Sequence, residues 1–344
     1  MNDKIYGALL GAAAGDAMAS ATDGKSYGEI IDIYGKDVRD FIKPDENTFS
    51  GDRAKAQFTD AFSIPYYLCE ELISNGGKAS IELGRNALRK WGKSEYFRFA
   101  GMTTKKVVNA LNDSETTDLW AYSGHLGNKL FKGHYYALSS NGSACKAFVS
   151  GLAHPGDTDG AIRDCVEITM SSHDDPLSIS GACAIAAAVA ECFNEDASVF
   201  GVVQTAIEAA EEGKAIGESR PDVWDYPGPS TARRLEYAQQ IALKYKSADA
   251  AGELRDIIGC GPEVAETVPV ALGLFIARRN EPIEALYDAV NIGDETCAMA
   301  TVTGALLGAF YGSSIFPTDW EQIINDANGI SITGLAEKFS GLIR

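Results

Sequence analysis

Oxygen-bearing side chains recur at the ends of apolar, glycine-rich segments of this 344-residue chain. The segment NIGDETCAMATVTGALLGAFYG, residues 291–312, places Asp294 and Glu295 in a glycine turn directly before an apolar run. Near the N-terminus, YGALLGAAAGDAMAS ends its apolar run at Asp16, and Asp23 follows. Carboxylate oxygens are hard ligands that suit Mg²⁺, and they also serve as general acids and bases. The pattern predicts a site for one of these two chemistries.

Three further clusters have the same polar character. They are Thr59 and Asp60 in QFTDAFSIPYYL, then Ser140, Asn141 and Gly142 in ALSSNGSACKAF, and His173 in SSHDDPLSIS. Each cluster alone also fits helix capping, an Asn-Gly turn or a structural histidine. The recurrence of such residues beside glycine and alanine favours one shared site over several unrelated caps.

Composition and charge bound the class of protein. Hydrophobic residues make up 45% of the chain and charged residues 23%, which is typical of a globular protein with a large core. A net charge of −18 argues against nucleic acid and anionic membrane partners. No apolar run reaches the roughly 18 residues of a membrane span. The seven cysteines form no CxxC pair, which predicts buried thiols and a cytoplasmic protein.

The periodic apolar segments predict helices, and convincing alternating strands are absent. The predicted helices are 3–15, 59–73, 83–91, 103–111, 160–171, 178–193, 199–211, 231–243, 262–278, 281–290 and 297–312. The first and last of these both contain GALLGA, with glycines spaced four residues apart. We expect these two helices to be buried and to pack together, inside a single all-α domain that covers residues 1–344.

Once the motifs are placed in order, the chain resembles the ADP-ribosylglycohydrolase family, which includes the dinitrogen-reductase-activating glycohydrolase. The segments that carry the resemblance are GALLGAAAGDAMAS, FTDAF, NGSACKAFVSGL, SSHDDPLSISGACAIAAAVA, ETVPVALGLFI, NIGDETCAMATVTGALLGAFYG and FPTDW. The resemblance implies a compact, orthogonal all-helical domain. It also implies Mg²⁺-assisted hydrolysis of the bond between C1 of a ribose and a nitrogen or oxygen leaving group.

The chain departs from the family pattern at the metal motifs. Ala61 stands where the family's first motif has a second Asp, and Cys297 and Ala298 stand where the closing motif has Asp and Thr. At least three ligands of the usual two-metal cage are therefore missing. We expect at most one Mg²⁺ ion, or none. Its predicted ligands are Thr59, Asp60, Asp294 and Glu295.

The resemblance also implies roles for the remaining site residues. Asp23 and Asp60 are the predicted catalytic residues, which activate water or assist the leaving group. The predicted substrate-binding residues are Asp16, Ser140, Asn141, Gly142 and His173. A cation, Lys146, replaces the arginine of the family's substrate loop and loses its bidentate fork.

Two functions stay open at this point. The first is hydrolysis of a glycosidic bond at C1 of a ribosyl or related sugar, with an ADP-ribosyl, nucleoside or simple glycoside substrate. The second is a non-catalytic protein that retains the family fold and binds a nucleotide or sugar. Both imply a small-molecule partner, and the sequence leaves the oligomeric state open.

Overall fold

The computed structural model describes residues 2–114, 139–221, 223, 228–245 and 247–343. His125 and His134, for which the sequence shows no pattern, lie outside the described residues. The first eight helices are α1 Asn2–Ala19, α2 Tyr27–Tyr34, α3 Asp60–Ser74, α4 Ile81–Trp91, α5 Met102–Asn112, α6 Gly142–Ala153, α7 Thr158–Met170 and α8 Pro176–Glu191. The next eight are α9 Val199–Glu218, α10 Thr231–Lys244, α11 Ser247–Ile258, α12 Val264–Ala277, α13 Pro282–Asn291, α14 Thr296–Tyr311, α15 Trp320–Asn328 and α16 Ile332–Ser340. Two short 3₁₀ helices, Glu95–Phe99 and Ser313–Ile315, complete the described elements.

The all-α class predicted from the sequence is confirmed. Within the described ranges the only β pairing consists of two isolated bridges, Lys25 with Asp294 and Ser140 with Glu263. The sequence did not predict α2, α6, α11, α15 and α16. Among the helices of the described ranges, none is both long and apolar enough to cross a lipid bilayer.

The first helix and α14 form the closest helix pair of the core. A Cβ atom at Gly11 would lie 2.2 Å from the carbonyl oxygen of Gly304, and one at Gly308 would lie 2.0 Å from that of Gly7. Only glycine allows two helix backbones to approach so closely. Both helices are buried along almost their whole length, which confirms the expectation that the two GALLGA helices pack together.

A second buried helix, α8, stands beside this pair. All its residues from Pro176 to Ala190 are buried, because its alanine-rich sequence is apolar on every side. It contacts α6, α7 and α9, and the alanines let these helices pack closely around it. The core therefore consists of small-residue helices, and their ends carry the polar side chains.

The fold brings several helix N-termini to one cavity. The first turns of α3, α5, α6 and α14 each contribute lining residues, although they are far apart in the sequence. A helix N-terminus carries a partial positive charge. This arrangement favours carboxylates and other electron-rich groups at the centre of the cavity.

Candidate active site

Asp16 at the end of α1 joins the first helix to the helix that carries Asp60. Its side chain is 0% exposed and accepts hydrogen bonds from the backbone N–H groups of Thr59 and Phe62, at 3.0 and 2.9 Å. The Thr59 hydroxyl donates to the same carboxylate over 2.5 Å. Asp16 therefore caps α3 from outside the helix. The sequence predicts Asp16 as a substrate ligand, but it does not line the cavity.

Asp60, the first residue of α3, does line the cavity, which has a volume of about 420 Å³. Among the described residues, the carboxylate of Asp60 accepts a hydrogen bond from the backbone N–H of Asp60 itself, which favours the ionised form. Burial raises its pKa well above the ordinary value, and the negative charges of Asp16, Asp23 and Glu295 raise it further. Both effects favour the protonated, neutral form of the carboxyl group.

Asp23 and Glu295 line the same cavity as Asp60. Asp23 accepts a hydrogen bond of 3.0 Å from the backbone N–H of Cys297, and Glu295 accepts one of 3.3 Å from the Asn141 amide. Burial raises the pKa of Asp23 to about 6 and that of Glu295 to about 7, and repulsion by neighbouring carboxylates adds to both shifts. We refer to Asp23, Asp60 and Glu295 together as the carboxylate corner.

The N-terminus of α6 forms a second, neutral wall of the cavity, made of Ser140, Asn141 and Gly142. His173 lies directly behind this wall and is fully buried, so it does not line the cavity as the sequence predicts. Its Nε2 atom lies 2.8 Å from the Ser140 hydroxyl. Through this contact His173 can act on a ligand only by way of Ser140.

The contacts of Nδ1, the other ring nitrogen of His173, determine which nitrogen carries the proton. Nδ1 lies 3.3 Å from the Lys146 ammonium and 2.8 Å from the Ser172 hydroxyl. Burial lowers the pKa of Lys146 to about 8 and holds that of His173 well below its ordinary value, so the lysine is charged and the imidazole neutral at pH 7. An ammonium only donates, so Nδ1 accepts and Nε2 carries the proton. The Ser140 hydroxyl then accepts a hydrogen bond from His173. Its own proton is therefore available to a partner in the cavity.

A third wall is apolar and was not predicted. It is lined by Phe49, Ala61, Ile64, Phe99 and Met102. Phe49 lies in an irregular segment between α2 and α3, and neither its residue type nor its neighbours form a recognisable pattern. The sequence offered no signal for it.

The donors that remain do not fit a bridged pair of Mg²⁺ ions. The Thr59 hydroxyl is engaged by Asp16 and by the backbone N–H of Ala61. Asp294 adopts a left-handed backbone with φ 53° and faces a separate cavity beside Lys25 and Cys260, so it is not a neighbour of Asp60. Within the described residues, no group of three or more His, Cys, Asp or Glu side chains converges as a metal site.

The side chains that replace the missing ligands also line the cavity. Cys297 and Ala298 occupy the first turn of α14, where the family resemblance implies an aspartate and a threonine. A sulfur atom is a soft ligand and a methyl group is none, so neither suits a hard cation. The carboxylate corner must therefore be considered as an acid and base site in its own right.

Comparison with known proteins gives a consistent family. All residues, 1–344, match a family model described as ADP-ribosylglycohydrolase. The chain is 26% identical over 323 residues to the uncharacterized protein YegU of Escherichia coli (strain K12), covering 90% of this chain and 88% of that protein. It is 22% identical over 335 residues to ADP-ribosylhydrolase ARH3 of Gallus gallus, covering 93% of this chain and 88% of the relative.

A solved structure shares the fold. A chain described as an ADP-ribosylglycohydrolase-related protein complex superposes with a TM-score of 0.65 at 18% identity, covering 100% of this chain and 99% of the other. At this identity the likeness concerns the arrangement of helices. The chemistry of the site depends on the side chains of this chain.

Proposed function

Since the chain belongs to the ADP-ribosylglycohydrolase family, a family of hydrolases, we propose that it hydrolyses a glycosidic bond at C1 of a ribosyl or related sugar. The observation that carries the proposal is the carboxylate corner. Three carboxyl groups with raised pKa values line one cavity together with neutral hydrogen-bonding groups. Paired carboxyl groups of this kind are what glycoside hydrolysis through a positively charged sugar uses.

In the proposed mechanism, the sugar hydroxyls bind at Ser140, Asn141 and Gly142, which places C1 near the carboxylate corner. A protonated carboxyl group, for which Asp60 is our candidate, donates its proton to the leaving atom as the bond to C1 breaks. The bonding electrons go to the leaving group, and positive charge develops at C1. An ionised carboxylate, for which Asp23 is our candidate, stabilises that charge and accepts a proton from the attacking water.

The mechanism uses no metal ion, because the donor set does not fit the family's ion pair. We propose at most one weakly held Mg²⁺, near Asp60 and Glu295, with waters as its remaining ligands. Such an ion would supply a positive charge that orients a sugar hydroxyl or a water. Asp294 and Thr59 drop out of the proposed ligand set because their oxygens point to other partners or to another cavity.

The substrate should be small. A net charge of −18 disfavours polyanions, which supports a mononucleotide-sized or uncharged riboside over nucleic acid. All seven cysteines are free and six of them are buried, which supports the proposal of a reducing compartment such as the cytoplasm.

A hydrolysis screen tests the function. The purified chain is incubated with ADP-ribosyl, nucleoside and simple riboside substrates, with and without Mg²⁺, and free sugar is measured. Asp60→Asn should abolish any activity found, because the amide cannot donate the required proton. If no substrate is cleaved while a sugar or nucleoside binds in the cavity, the second candidate holds, namely a binding protein. The replacement of metal ligands by Cys297 and Ala298 favours that candidate.

A further inference from the structure

Large apolar side chains are exposed at the mouth of the cavity. Phe49 is 66% exposed and Met102 is 57% exposed, yet both line the cavity that holds Asp60. The ring of Phe99 meets that of Phe49 edge to face, with centroids 5.3 Å apart. We call Phe49, Phe99 and Met102 the rim platform. Adjacent exposed apolar groups at a cavity mouth indicate a surface that a ligand covers.

Ion pairs hold the rim platform in place. Arg98 contacts both carboxylate oxygens of Asp52 at 2.5 Å, and Arg53 contacts Glu95 at 2.6 Å. These bonds tie the segment that carries Phe49 to the 3₁₀ helix Glu95–Phe99. The Arg53 guanidinium is almost fully buried, which makes its position well defined. Phe49 and Phe99 therefore lie on two segments that these ion pairs connect.

The two arginines that lie over the Phe99 ring are paired with carboxylates. The guanidinium groups of Arg98 and Arg53 lie over the Phe99 ring, 4.5 and 5.2 Å from its centroid. Both are already paired with the carboxylates of Asp52 and Glu95. The ligand group that suits these three side chains is accordingly flat and apolar on its faces.

The position of the rim platform indicates which part of a substrate it contacts. Asp60 and Ile64 lie four residues apart in α3, so they share a face of the helix at about 6 Å. Ile64 thus gives the cavity an apolar wall beside the carboxylate corner, in the same cavity as the rim platform. The Thr104 hydroxyl, at the start of α5, adds a polar group to the same cavity. A ring bonded to C1 of a sugar in the corner would lie along this wall, with a hydroxyl near its edge.

We propose that the rim platform binds a nitrogen heterocycle attached directly to C1, so that the substrates are nucleosides and the leaving group is a nucleobase. This rests on the proposed hydrolysis at C1. In the step, the bond between C1 and the ring nitrogen breaks and its electrons pass to the ring. The carboxyl of Asp60 protonates the departing base. Water forms the new bond to C1 and gives its proton to the carboxylate of Asp23. Nucleoside and water thus yield sugar and free base.

A binding experiment tests the proposal without relying on turnover. The probe is 1,N⁶-ethenoadenosine, and its fluorescence anisotropy is titrated with full-length protein carrying Asp60→Asn, which prevents consumption of the probe. Stacking of a base on an aromatic side chain predicts that Phe49→Ala weakens binding roughly fivefold to a hundredfold. Phe49→Trp should restore binding. Phe200→Ala is the matched control, since Phe200 is 42% exposed on α9 and lines no part of this cavity.

Competition separates the other ligands that an aromatic surface can bind. Adenine should displace the probe. Methyl β-D-ribofuranoside, which has no base, should bind to the proteins with and without Phe49→Ala equally well. Equal probe affinity with and without Phe49, or stronger displacement by N-methylguanidinium than by adenine, would overturn the nucleobase site. Base binding that depends on Phe49, in a protein that cleaves nothing, keeps this site and removes the proposed hydrolysis. If the Phe49→Ala protein cleaves nucleosides with an unchanged KM, the proposed hydrolysis stands and the nucleobase site on the rim platform is refuted.

Discussion

The hydroxyl of Thr59 donates a hydrogen bond of 2.5 Å to Asp16, across 43 residues of sequence. The same carboxylate accepts two backbone N–H groups at the start of α3, so a residue of the first helix supplies the cap of the third. The position of Asp60 depends on this bond, because Asp60 directly follows Thr59. Asp16 is in this way a positioning residue for the carboxylate corner.

Asp16→Asn should lower the free energy of unfolding by roughly 1–3 kcal/mol. Its amide oxygen can still accept from the two backbone N–H groups, but its NH₂ replaces the oxygen that accepts from the Thr59 hydroxyl, and the hydrogen bonds lose their charge. Asp60→Asn is the matched control. Asp60 is repelled by its carboxylate neighbours, so this variant should be as stable as the natural protein or more stable. Urea unfolding of both variants makes the comparison. An Asp16→Asn protein of natural stability that fails to bind ligand would assign Asp16 to the substrate instead.

Gly308→Ala should destabilise the protein by about 1–3 kcal/mol, because the new Cβ would lie 2.0 Å from the Gly7 carbonyl oxygen and must push two core helices apart. Gly28→Ala in α2 is the control, since a Cβ there has no neighbour within 4 Å. That change should stabilise the helix by up to about 1 kcal/mol. Thermal melts of the two variants that shift by equal amounts would argue against the close α1–α14 contact.

Stability should fall as the pH rises through the range in which Glu295 titrates. Burial and its carboxylate neighbours raise the pKa of Glu295 from 4.5 to about 7, so between these values the folded protein holds a proton that the unfolded chain has lost. Folding is then favoured at the acidic end and loses this advantage towards pH 7. Glu295→Gln should match the natural protein near pH 4 and exceed its unfolding free energy by roughly 1–3 kcal/mol at pH 7.5. Urea titrations in the presence of EDTA measure this, and parallel pH profiles would contradict it.

Isothermal titration with Mg²⁺ should give one weak site or no measurable heat. Restoring the two carboxylates with Ala61→Asp and Cys297→Asp should strengthen Mg²⁺ binding, because both positions line the cavity beside Asp60 and Glu295. The two single variants, Ala61→Asp and Cys297→Asp, serve as controls, and each alone should bind Mg²⁺ more weakly than the double variant. Two tight sites in the natural protein would refute the reading of its donor set.

Ser140 and His173 should act on a ligand as a unit. The imidazole directs the Ser140 proton to the cavity, so once Ser140→Ala is made, the further change His173→Gln should weaken binding little. A double-mutant cycle should give a coupling of about 0.5–3 kcal/mol. His154→Gln serves as the control, because His154 pairs with Asp164 and lines no part of the cavity. Additive effects of the two changes would assign His173 a purely structural role.

The sequence predicts the core better than the site. Glycines at every fourth position in two helices indicate a close contact, and the structure has it between Gly7 and Gly308. Helix α6 was missed because GSACKAFVSGLA is short and apolar on most sides, so it shows no clear period. Helix α2 was also missed, although Ser26 and Glu29 form a capping box that marks its start in the sequence.

The site depends on relationships that no local pattern contains. A carboxylate at the end of a helix reads the same whether it binds a ligand, as proposed for Asp60, or caps a neighbouring helix, as Asp16 does. Phe49 lines the cavity beside Phe99, a residue 50 positions later in the chain, and Arg98 pairs with Asp52 between the same two segments. Asp294 and Glu295 are adjacent in sequence, but a left-handed turn at Asp294 sends them to different cavities.

The contact between α1 and α14 has a consequence for synthesis on the ribosome. The glycine face of the first helix has its partner near residue 308, so it stays uncovered until that later segment has been made. Contacts of such large sequence separation form late in folding. During translation α1 is thus an apolar segment that waits for its partner helix. The carboxylate corner joins Asp23 to the distant Glu295, so it too is completed only once both segments have been made.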